Sequence, residues 1–242
     1  MTSLKPLLLA SAAAAALLGA AATKANAANT LSATYYSVAA GDADFQYYCC
    51  GTFNNQVTDT LGPDGLPVFN PAYGGPAIHD VNGSGEITWW SPALNNHVTL
   101  SGTGTITLPY SNGAFYPPMG NGSSDASAFQ TAVFSGTLML PKAVTFTAGA
   151  NDSVFAYVDG NAVIDLGGVH PDTQALGTTS VLSAGSHDLK VFYADLYRTQ
   201  AALNFAITTK DVTTTPVPEP ALLALLGLGV LSLGWARRRP AA

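Results

Sequence analysis

Short stretches whose side chains would alternate between two faces recur along this chain, and residues that favour tight turns separate them. Val154–Val158 and Leu189–Tyr193 are two such stretches, in which successive side chains would point to opposite faces of a strand. Asp159-Gly160-Asn161 follows the first stretch and suits a hairpin, because these residue types tolerate positive φ. The pattern predicts β-strands joined by tight turns.

Nine segments have the composition and length of strands, and long amphipathic helical patterns are missing between them. They are Ser32–Val38, Glu86–Trp90, Val98–Leu108, Ala132–Leu140, Ala143–Thr147, Val154–Val158, Ala162–Leu166, His187–Tyr193 and Leu203–Thr208. Many short strands with regular turns indicate an all-β fold, specifically an antiparallel, jelly-roll-like β-sandwich. Two segments, Gly62–Gly85 and Ser111–Ser127, are predicted to be long surface loops.

The first 27 residues have the order of a secretory signal peptide. Lys5 precedes an apolar stretch, Leu7–Ala22, which would form the signal helix. The small residues of Ala25-Asn26-Ala27 follow it. This order predicts export and cleavage by signal peptidase after Ala27.

Residues 218–242 combine three parts in order. Pro218-Glu219-Pro220 precedes an apolar run, which we interpret as a transmembrane helix over residues 221–236, and Arg237-Arg238-Arg239 follows it. Arginines resist crossing a bilayer, so they would keep the end of this helix in the cytoplasm. The two prolines would keep the preceding motif extended, because proline disfavours helix for itself and for the residue before it.

This tail resembles the PEP-CTERM sorting signal of bacterial surface proteins. The resemblance implies export across the inner membrane, recognition of the tail in that membrane and cleavage by an exosortase-type transpeptidase. The protein would then be anchored only transiently before it reaches the cell surface or the medium. The alternative is a permanent membrane anchor. Between the two signals we expect one domain over residues 28–211 and a linker over residues 212–217.

Removal of both signals would leave a strongly acidic protein. The full chain has nine basic and fifteen acidic residues. A mature chain that ends at Pro218 would keep four basic and fourteen acidic residues, for a net charge of −10. This charge argues against nucleic acid and anionic lipid as partners of the mature protein. It also offers carboxylates to divalent cations.

Four blocks of the predicted domain resemble the fibro-slime domain. The longest block is Asn151–His170, and the others are Asp42–Gln46, Thr60–Phe69 and Val191–Asp195, the last leading to Leu203–Phe205. This family is grouped with the lectin-like β-sandwiches first seen in the anthrax protective antigen. The resemblance implies a secreted, matrix-associated or carbohydrate-binding module and no enzyme with a known reaction.

Four acids in these blocks fall at or near predicted strand ends and are candidate ligand-binding residues. They are Asp152, Asp159, Asp165 and Asp195. Related sandwich lectins bind sugar through a calcium ion held by a pair of adjacent acids, and the matching positions here are Asn151-Asp152. Calcium is therefore the cofactor that the resemblance implies, and it accepts amide as well as carboxylate oxygens. The alternative is that Asp152 and Asp159 are turn residues and that Asp165 bonds a loop backbone.

Three further candidates follow Asp165. Gly167 and Gly168 would allow a sharp turn and the close approach of another chain or of a ligand. His170 could cap that turn through a hydrogen bond to a carboxylate. A catalytic histidine would need a nucleophile or a substrate proton within reach, and no motif in the sequence supplies one.

Adjacent aromatic and cysteine pairs complete the candidates. Trp89-Trp90, like Tyr47-Tyr48, could form a platform for sugar rings, with one ring of each pair facing solvent because strand neighbours point oppositely. Cys49-Cys50 are the only cysteines of the chain. In an oxidising compartment we expect them to bond to each other or to a second chain.

These observations predict an exported cell-surface or extracellular-matrix protein, a structural or carbohydrate-binding component of a biofilm or exopolysaccharide. Its expected partners are signal peptidase and exosortase during processing, the membrane through the tail before cleavage, and exopolysaccharide or another matrix component afterwards. Two alternatives stay open. A glycosidase-like enzyme would need two carboxyl groups ~5–9.5 Å apart across a cleft, and a pure self-assembly module would bind no glycan.

Overall fold

The computed structural model describes residues 29–45, 51–139, 143–198 and 200–217. Within these ranges the protein is all-β and contains no helix, and every strand pairing is antiparallel. The strands are β1 (Thr30–Ala39), β2 (Val57–Leu61), β3 (Pro67–Phe69), β4 (Val98–Thr107), β5 (Tyr110–Asn112), β6 (Ala128–Met139), β7 (Thr145–Asn151), β8 (Ser153–Val158), β9 (Asn161–Leu166), β10 (Thr173–Thr178), β11 (Ser186–Ala194), β12 (Ala202–Ile207) and β13 (Thr213–Pro216).

Two sheets divide these strands between them. The large sheet has the order β3-β2-β9-β8-β11-β6-β1-β4, and the small sheet has the order β10-β7-β12-β5. Strand β6 is long enough to pair with two partners along one edge: with β1 from Ala128 to Ser135 and with β13 from Gly136 to Met139. Segment 212–217, which we expected to be a linker, therefore contributes a strand to the large sheet.

The central strands of the large sheet are buried on both faces. In β8, Val154 and Ala156 belong to a core shared with the small sheet, whereas Phe155 and Tyr157 belong to a second core. The second core lies between the large sheet and the described part of the chain that joins β1 to β4, residues 40–97, which we call the covering segment. The alternation that predicted a strand is thus an alternation between two apolar cores.

Aromatic side chains fix the covering segment on the sheet. The ring centroid of Trp90 lies 5.1 Å from that of Phe192 in β11, and Trp89 lies 5.6 Å from Phe45. The carboxylate of Asp44 holds this segment together by accepting hydrogen bonds from the backbone N–H groups of residues 79 and 80 and from Trp89 Nε1, over 2.7–2.9 Å.

Several strand predictions differ from the structure. Glu86–Trp90 is not a strand: Glu86 and Ile87 make isolated bridges, and the two tryptophans lie in a turn. The predicted loop Gly62–Gly85 contains β3, and the predicted loop Ser111–Ser127 begins within β5. The predicted signal helix and transmembrane segment lie outside the described residues. Within the described ranges, no helix is long and apolar enough to cross a membrane.

Because the large sheet has an apolar core on each face, removing a large side chain from either core should lower the free energy of unfolding by a similar amount. Phe134 lies in the core between the sheets and Phe155 in the core under the covering segment, and both are buried. Replacing either by Ala should lower the free energy of unfolding by about 3–5 kcal/mol, because each change leaves a cavity. Leu176→Ala is the control, since Leu176 is 70% exposed. Urea unfolding curves measure the three losses; a loss at Phe155 as small as at Leu176 would contradict a second core.

Candidate functional site

The candidate site lies where the chain passes from the small sheet to the large sheet. Strand β7 ends at Asn151 and β8 begins at Ser153, so Asp152 occupies the corner between them. The peptide bond between Asn151 and Asp152 is cis. Ala194, the last residue of β11, pairs with Ser153. Asp195 therefore leaves its strand beside Asp152, at the same end of the sheet.

Backbone groups from two loops surround the carboxylate of Asp152. Its Oδ1 accepts the N–H of His170 at 3.1 Å, and its Oδ2 accepts the N–H of Leu196 at 2.8 Å. In the amide orientation of Asn151 that gives both its nitrogen and its oxygen suitable partners, the nitrogen donates to Oδ1 of Asp152 at 2.9 Å and to the carbonyl of Gln200 at 2.8 Å. Asp152 thus ties together the corner and the loops after β9 and β11.

Two buried contacts hold the corner itself. The hydroxyl of Tyr193 donates to the carbonyl of Asn151 at 2.7 Å, and the N–H of Gly168 donates to Ser153 Oγ at 3.1 Å. Gly168 has a φ of +95°, and a Cβ there would lie 2.3 Å from the carbonyl oxygen of Gly51. Gly168 therefore permits a close approach, but the approaching group is this chain's own backbone, whereas the sequence predicted another chain or a ligand.

Three other polar side chains lie at the corner with atoms that have no hydrogen-bond partner. Both carboxyl oxygens of Asp195, Oδ2 of Asp125 and Nε2 of His170 are buried and unpaired among the described residues. His170 Nδ1 is 2.9 Å from the carbonyl of Pro171. We call Asp125, Asp152, Asp195 and His170 the buried acidic site.

Burial dominates the electrostatics of this site. It raises the pKa of Asp152 to about 7, against the lowering effect of the backbone hydrogen bonds from Leu196 and His170. Burial also raises the pKa of Asp195 well above its usual value, and the nearby charges of Asp152 and Asp125 raise it further. The pKa of His170 is lowered by burial, so its imidazole is neutral and cannot compensate the carboxylates.

The site needs either protons or a cation. Buried carboxylates that repel one another are stable when protonated, paired or bound to a metal. Arg198 lies close enough to lower the pKa of Asp125, although burial raises that pKa more. The available oxygen atoms suit a hard cation such as Ca²⁺, which takes six to eight oxygen ligands.

The structure separates the four predicted acids. Asp159 lies in the β8–β9 turn with a φ of +50°, at the end of β8 opposite to Asp152. Its carboxylate accepts the backbone N–H of Asp188 at 2.9 Å and contacts His187 Nδ1 at 2.7 Å. Asp159 is therefore a turn residue, as the alternative predicted, and it lies remote from Asp152 and Asp195.

Asp165 lies away from the corner as well. Its Oδ2 accepts the backbone N–H of Val57, the first residue of β2, at 3.0 Å, whereas the alternative predicted a bond to loop backbone. Gly167 exchanges two backbone hydrogen bonds of 2.8 Å with Phe53. It packs against Gln56, so it positions the covering segment.

The predicted tryptophan platform is wrong. Trp89 and Trp90 are both buried, 1% and 2% exposed, because they lie in a turn that folds both rings into the second core. Trp90 Nε1 donates to the carbonyl of Tyr193 at 2.8 Å, so this ring supports the strand before Asp195. Tyr47, Tyr48, Cys49 and Cys50 lie outside the described residues, and the disulfide stays a prediction.

A second group of acids lies in the covering segment. Carboxyl oxygens of Asp42, Asp44 and Asp80 lie within 4.8 Å of one another. They already have partners: Asp42 Oδ2 is 2.9 Å from His97 Nδ1, and Asp80 Oδ2 accepts Asn95 Nδ2 at 2.8 Å. Burial and Asp42 raise the pKa of Asp80 to about 6. We interpret this group as a brace for the covering segment.

Sequence reasoning missed Asp125 at the buried acidic site. It lies in the long loop before β6, a region without strand pattern, and only the folded chain brings it near Asp152 and Asp195. The acid itself was visible as one of few charges in a Gly- and Ser-rich loop. Nothing in the sequence linked it to the corner.

Comparison with known proteins supports the interpretation of the tail. Residues 216–239 match the PEP-CTERM protein-sorting motif. This match indicates an exported protein that is sorted by an exosortase to the cell surface or the extracellular space. The chain is also similar to protein psiD of Dictyostelium discoideum, with 27% identity over 203 residues. The similar region covers 72% of this chain and 40% of psiD, so the chain spans less than half of that relative's length.

Similar solved structures include adhesin domains. A PA14 sugar-binding domain from an RTX adhesin is 14% identical, with a TM-score of 0.38 and coverage of 78% of this chain and 96% of that domain. The Epithelial Adhesin 6 A domain of Candida glabrata, in complex with Galb1-3GlcNAc, is 15% identical, with a TM-score of 0.37 and coverage of 77% and 84%. An anti-sigma factor domain-containing protein is 18% identical, with a TM-score of 0.37 and coverage of 48% and 43%. These likenesses are distant, and the fibro-slime resemblance stays a prediction.

The raised pKa values predict a stability that falls as pH rises when no cation is present. The folded state keeps protons on Asp152 and Asp195 that the unfolded chain has released. The contribution of these two acids to stability is therefore greatest below about pH 4 and declines as pH rises, for Asp152 through about 7. His170, whose pKa is lowered in the fold, acts in the opposite direction at low pH, and this effect is common to wild type and to Asp195→Asn. Asp195→Asn should flatten this decline and make the protein more stable than wild type at pH 8 in EDTA, because the amide stays neutral. Urea unfolding from pH 4 to pH 8 tests this.

Asp64→Asn is the matched control, since Asp64 lies in the loop before β3 and its side chain accepts a hydrogen bond from Asn82. The free energy of unfolding of Asp64→Asn should depend on pH in the same way as that of the wild type. Parallel profiles for wild type and Asp195→Asn would show that Asp195 does not hold an extra proton in the folded protein.

Proposed function

We propose that this exported protein is a calcium-dependent carbohydrate-binding module of the cell surface or extracellular matrix. The observation that carries the proposal is Asp195, whose two carboxyl oxygens are buried without a hydrogen-bond partner among the described residues, next to Asp152. A calcium ion supplies the missing charge compensation, with Asp195, Asp125 and the oxygens around Asn151-Asp152 as its ligands. Calcium at this corner fixes the loops that Asp152 ties together.

A small cavity beside the site supports carbohydrate as the ligand. The cavity has a volume of about 230 Å³, and its lining includes Leu196, whose N–H binds Asp152, and Gly168, whose N–H binds Ser153. Apolar walls from Tyr73 and Ile78 alternate with polar groups, among them Gln56 and His79. A few polar groups on a mostly apolar surface are typical of small-molecule pockets, and they suit the apolar face and hydroxyl rim of a single sugar ring.

The location fits this ligand. An exported protein with an exosortase signal meets exopolysaccharide outside the cell, and its acidic surface stays soluble there. We infer that signal peptidase and exosortase process the chain and that its binding partner is a polysaccharide of the biofilm matrix.

A binding role fits the geometry of Asp152 better than a hydrolytic one. Both oxygens of Asp152 accept backbone N–H groups, so this carboxylate holds loops in place. A glycosidase needs two carboxyl groups that face a substrate across a cleft, and Asp152 and Asp195 are fully buried. We therefore infer that the protein is not an enzyme.

Calcium should stabilise the wild-type protein by mass action. At a concentration of 100 times its Kd, calcium adds about 2.7 kcal/mol of stability, which raises the Tm of a domain of this size by roughly 5–10 °C. Asp195→Asn should lose most of this shift, whereas Asp64→Asn should keep it. Differential scanning calorimetry at pH 7.5, with calcium or EDTA, measures it. If 10 mM calcium leaves the Tm of the wild type unchanged, calcium does not bind at this site and the proposed calcium dependence is wrong.

Glycan binding has its own test. On an array of neutral and acidic glycans, the wild-type protein should bind in calcium and lose at least tenfold signal in EDTA or as Asp195→Asn. Binding that is unaffected by both changes would place the glycan elsewhere on the protein. Absence of binding to every glycan would favour the self-assembly alternative.

The sorting motif predicts the mass of the mature chain. Because Pro218-Glu219-Pro220 directly precedes the apolar run and the arginines, the exported protein should lack residues 221–242. Intact mass spectrometry of the protein from wild-type cells and from cells without exosortase compares the two forms. Recovery of the full tail in both would indicate a permanent anchor.

A further inference from the structure

The terminal strand β13 lies between the beginning of β1 and the end of β6. The last four residues of β6 pair with β13, and the residues before them pair with β1. Because β1 pairs Ser32 with Ser135, the continuation of its register would place Leu31 opposite Gly136. Pro216 of β13 occupies that position instead. The two strands therefore compete for one stretch of the edge of β6.

Hydrogen bonds hold β13 in this place more than apolar packing does. Of residues 213–217 only Thr214 is buried, and none of them belongs to either apolar core. The hydroxyl of Thr214 donates to the carbonyl of Thr30 at 3.1 Å, and the hydroxyl of Ser32 donates to the carbonyl of Val217 at 2.6 Å. Little apolar surface would become exposed if β13 left the sheet, so its release costs far less than global unfolding.

The sorting motif begins inside this strand. The PEP-CTERM match starts at residue 216, the last residue of β13, and Pro218-Glu219-Pro220 directly follows Val217. Proteins that bind an extended peptide use its main-chain groups. In the folded domain, Pro216 is part of the sheet and the carbonyl of Val217 is bound by Ser32. The fold thus holds the first two residues of the motif that a sorting enzyme has to bind.

The length of chain after β13 adds a second restriction. From Val217 to Ala221, where the apolar run begins, an extended chain spans at most about 14 Å. A docked β13 would therefore leave little room for an enzyme between the domain and the membrane. Val212 is buried in the core between the two sheets and is the natural hinge. Release of the chain up to Val212 increases the reach to about 32 Å.

We propose that β13 leaves the sheet before sorting, so that the membrane transpeptidase binds the motif as an extended chain, and that Thr30 and Leu31 of β1 take its place on β6. The rate of tail removal then follows the population of the open state. This inference rests on the exosortase processing proposed above and is independent of calcium and carbohydrate binding.

Variants that weaken the docking of β13 test the proposal in cells that contain the exosortase. Ser32→Ala and Thr214→Val each remove one hydrogen bond and leave the sorting motif unchanged. Each should speed tail removal about three- to tenfold, measured by pulse–chase labelling. Ser37→Ala is the matched control, because the Ser37 hydroxyl bonds to Ser101 on the β4 side of β1. Removal at the wild-type rate in both test variants would overturn the proposal.

A disulfide across the strand pair tests the opposite change. Thr215 of β13 pairs with Thr137 of β6. The double variant Thr137→Cys/Thr215→Cys should form a bridge in an oxidising compartment and slow tail removal at least about tenfold, whereas the two single variants should not. Rapid tail removal from the bridged chain would contradict release of the strand. A wild type that keeps its tail would overturn the exosortase processing and, with it, this proposal.

Hydrogen exchange of the full-length protein in detergent measures the release without the enzyme. The amides of residues 213–215 should exchange at least about a hundredfold faster than those of β8, because they need only local opening. Ser32→Ala should increase their exchange further, and Ser37→Ala should not. Exchange of residues 213–215 as slow as that of β8 would show that β13 opens only on global unfolding. That result would overturn strand release and leave exosortase processing intact.

Discussion

Burial of the central strands of the large sheet on both faces is the constraint on which the rest of the structure depends. The small sheet covers one face and the segment between β1 and β4 covers the other, so every side chain of β8 is buried. The corner at Asp152 lies where the chain moves from the small sheet into the large one. Because loops from both sides close over this corner, the carboxylates of Asp152 and Asp195 are removed from water.

Because these acids are buried, the stability of the fold depends on the pH and on the cations of the surrounding solution. A buried carboxylate is costly unless a proton, a hydrogen-bond donor or a cation compensates it. Backbone N–H groups satisfy Asp152. Neither carboxyl oxygen of Asp195 makes a well-formed hydrogen bond among the described residues, and the backbone groups of Tyr197 and Gln130 lower its pKa less than burial raises it. The stability of the corner should therefore depend on pH and on calcium together.

The sequence contained most of the fold. Alternation and turn residues predicted the long central strands, because their register is set by side chains that must face a core. The strands β2, β3, β5 and β10 and the terminal β13 were missed. Each owes its position to pairing with a longer neighbour more than to its own pattern, as β13 does beside β6.

The candidate site was predicted in part. The blocks that resemble the fibro-slime domain contain Asp152, Asp195 and the Gly168–His170 loop. The structure brings these residues together. Sequence order could not show that Asp159 lies at the far end of a six-residue strand, about 20 Å away at the usual rise per residue. It also placed Trp89 and Trp90 on a strand, where one ring would face solvent, whereas a turn buries both. Packing between segments that are distant in the sequence determines both the position of Asp159 and the burial of the two tryptophans.

The most direct test of the account is a crystal structure of the mature protein grown in calcium, with anomalous diffraction recorded at long wavelength. The account predicts an anomalous peak within about 2.3–2.6 Å of a carboxyl oxygen of Asp195. A well-ordered corner with no peak, in which Asp195 is protonated and bonded to a neighbouring group, would contradict it.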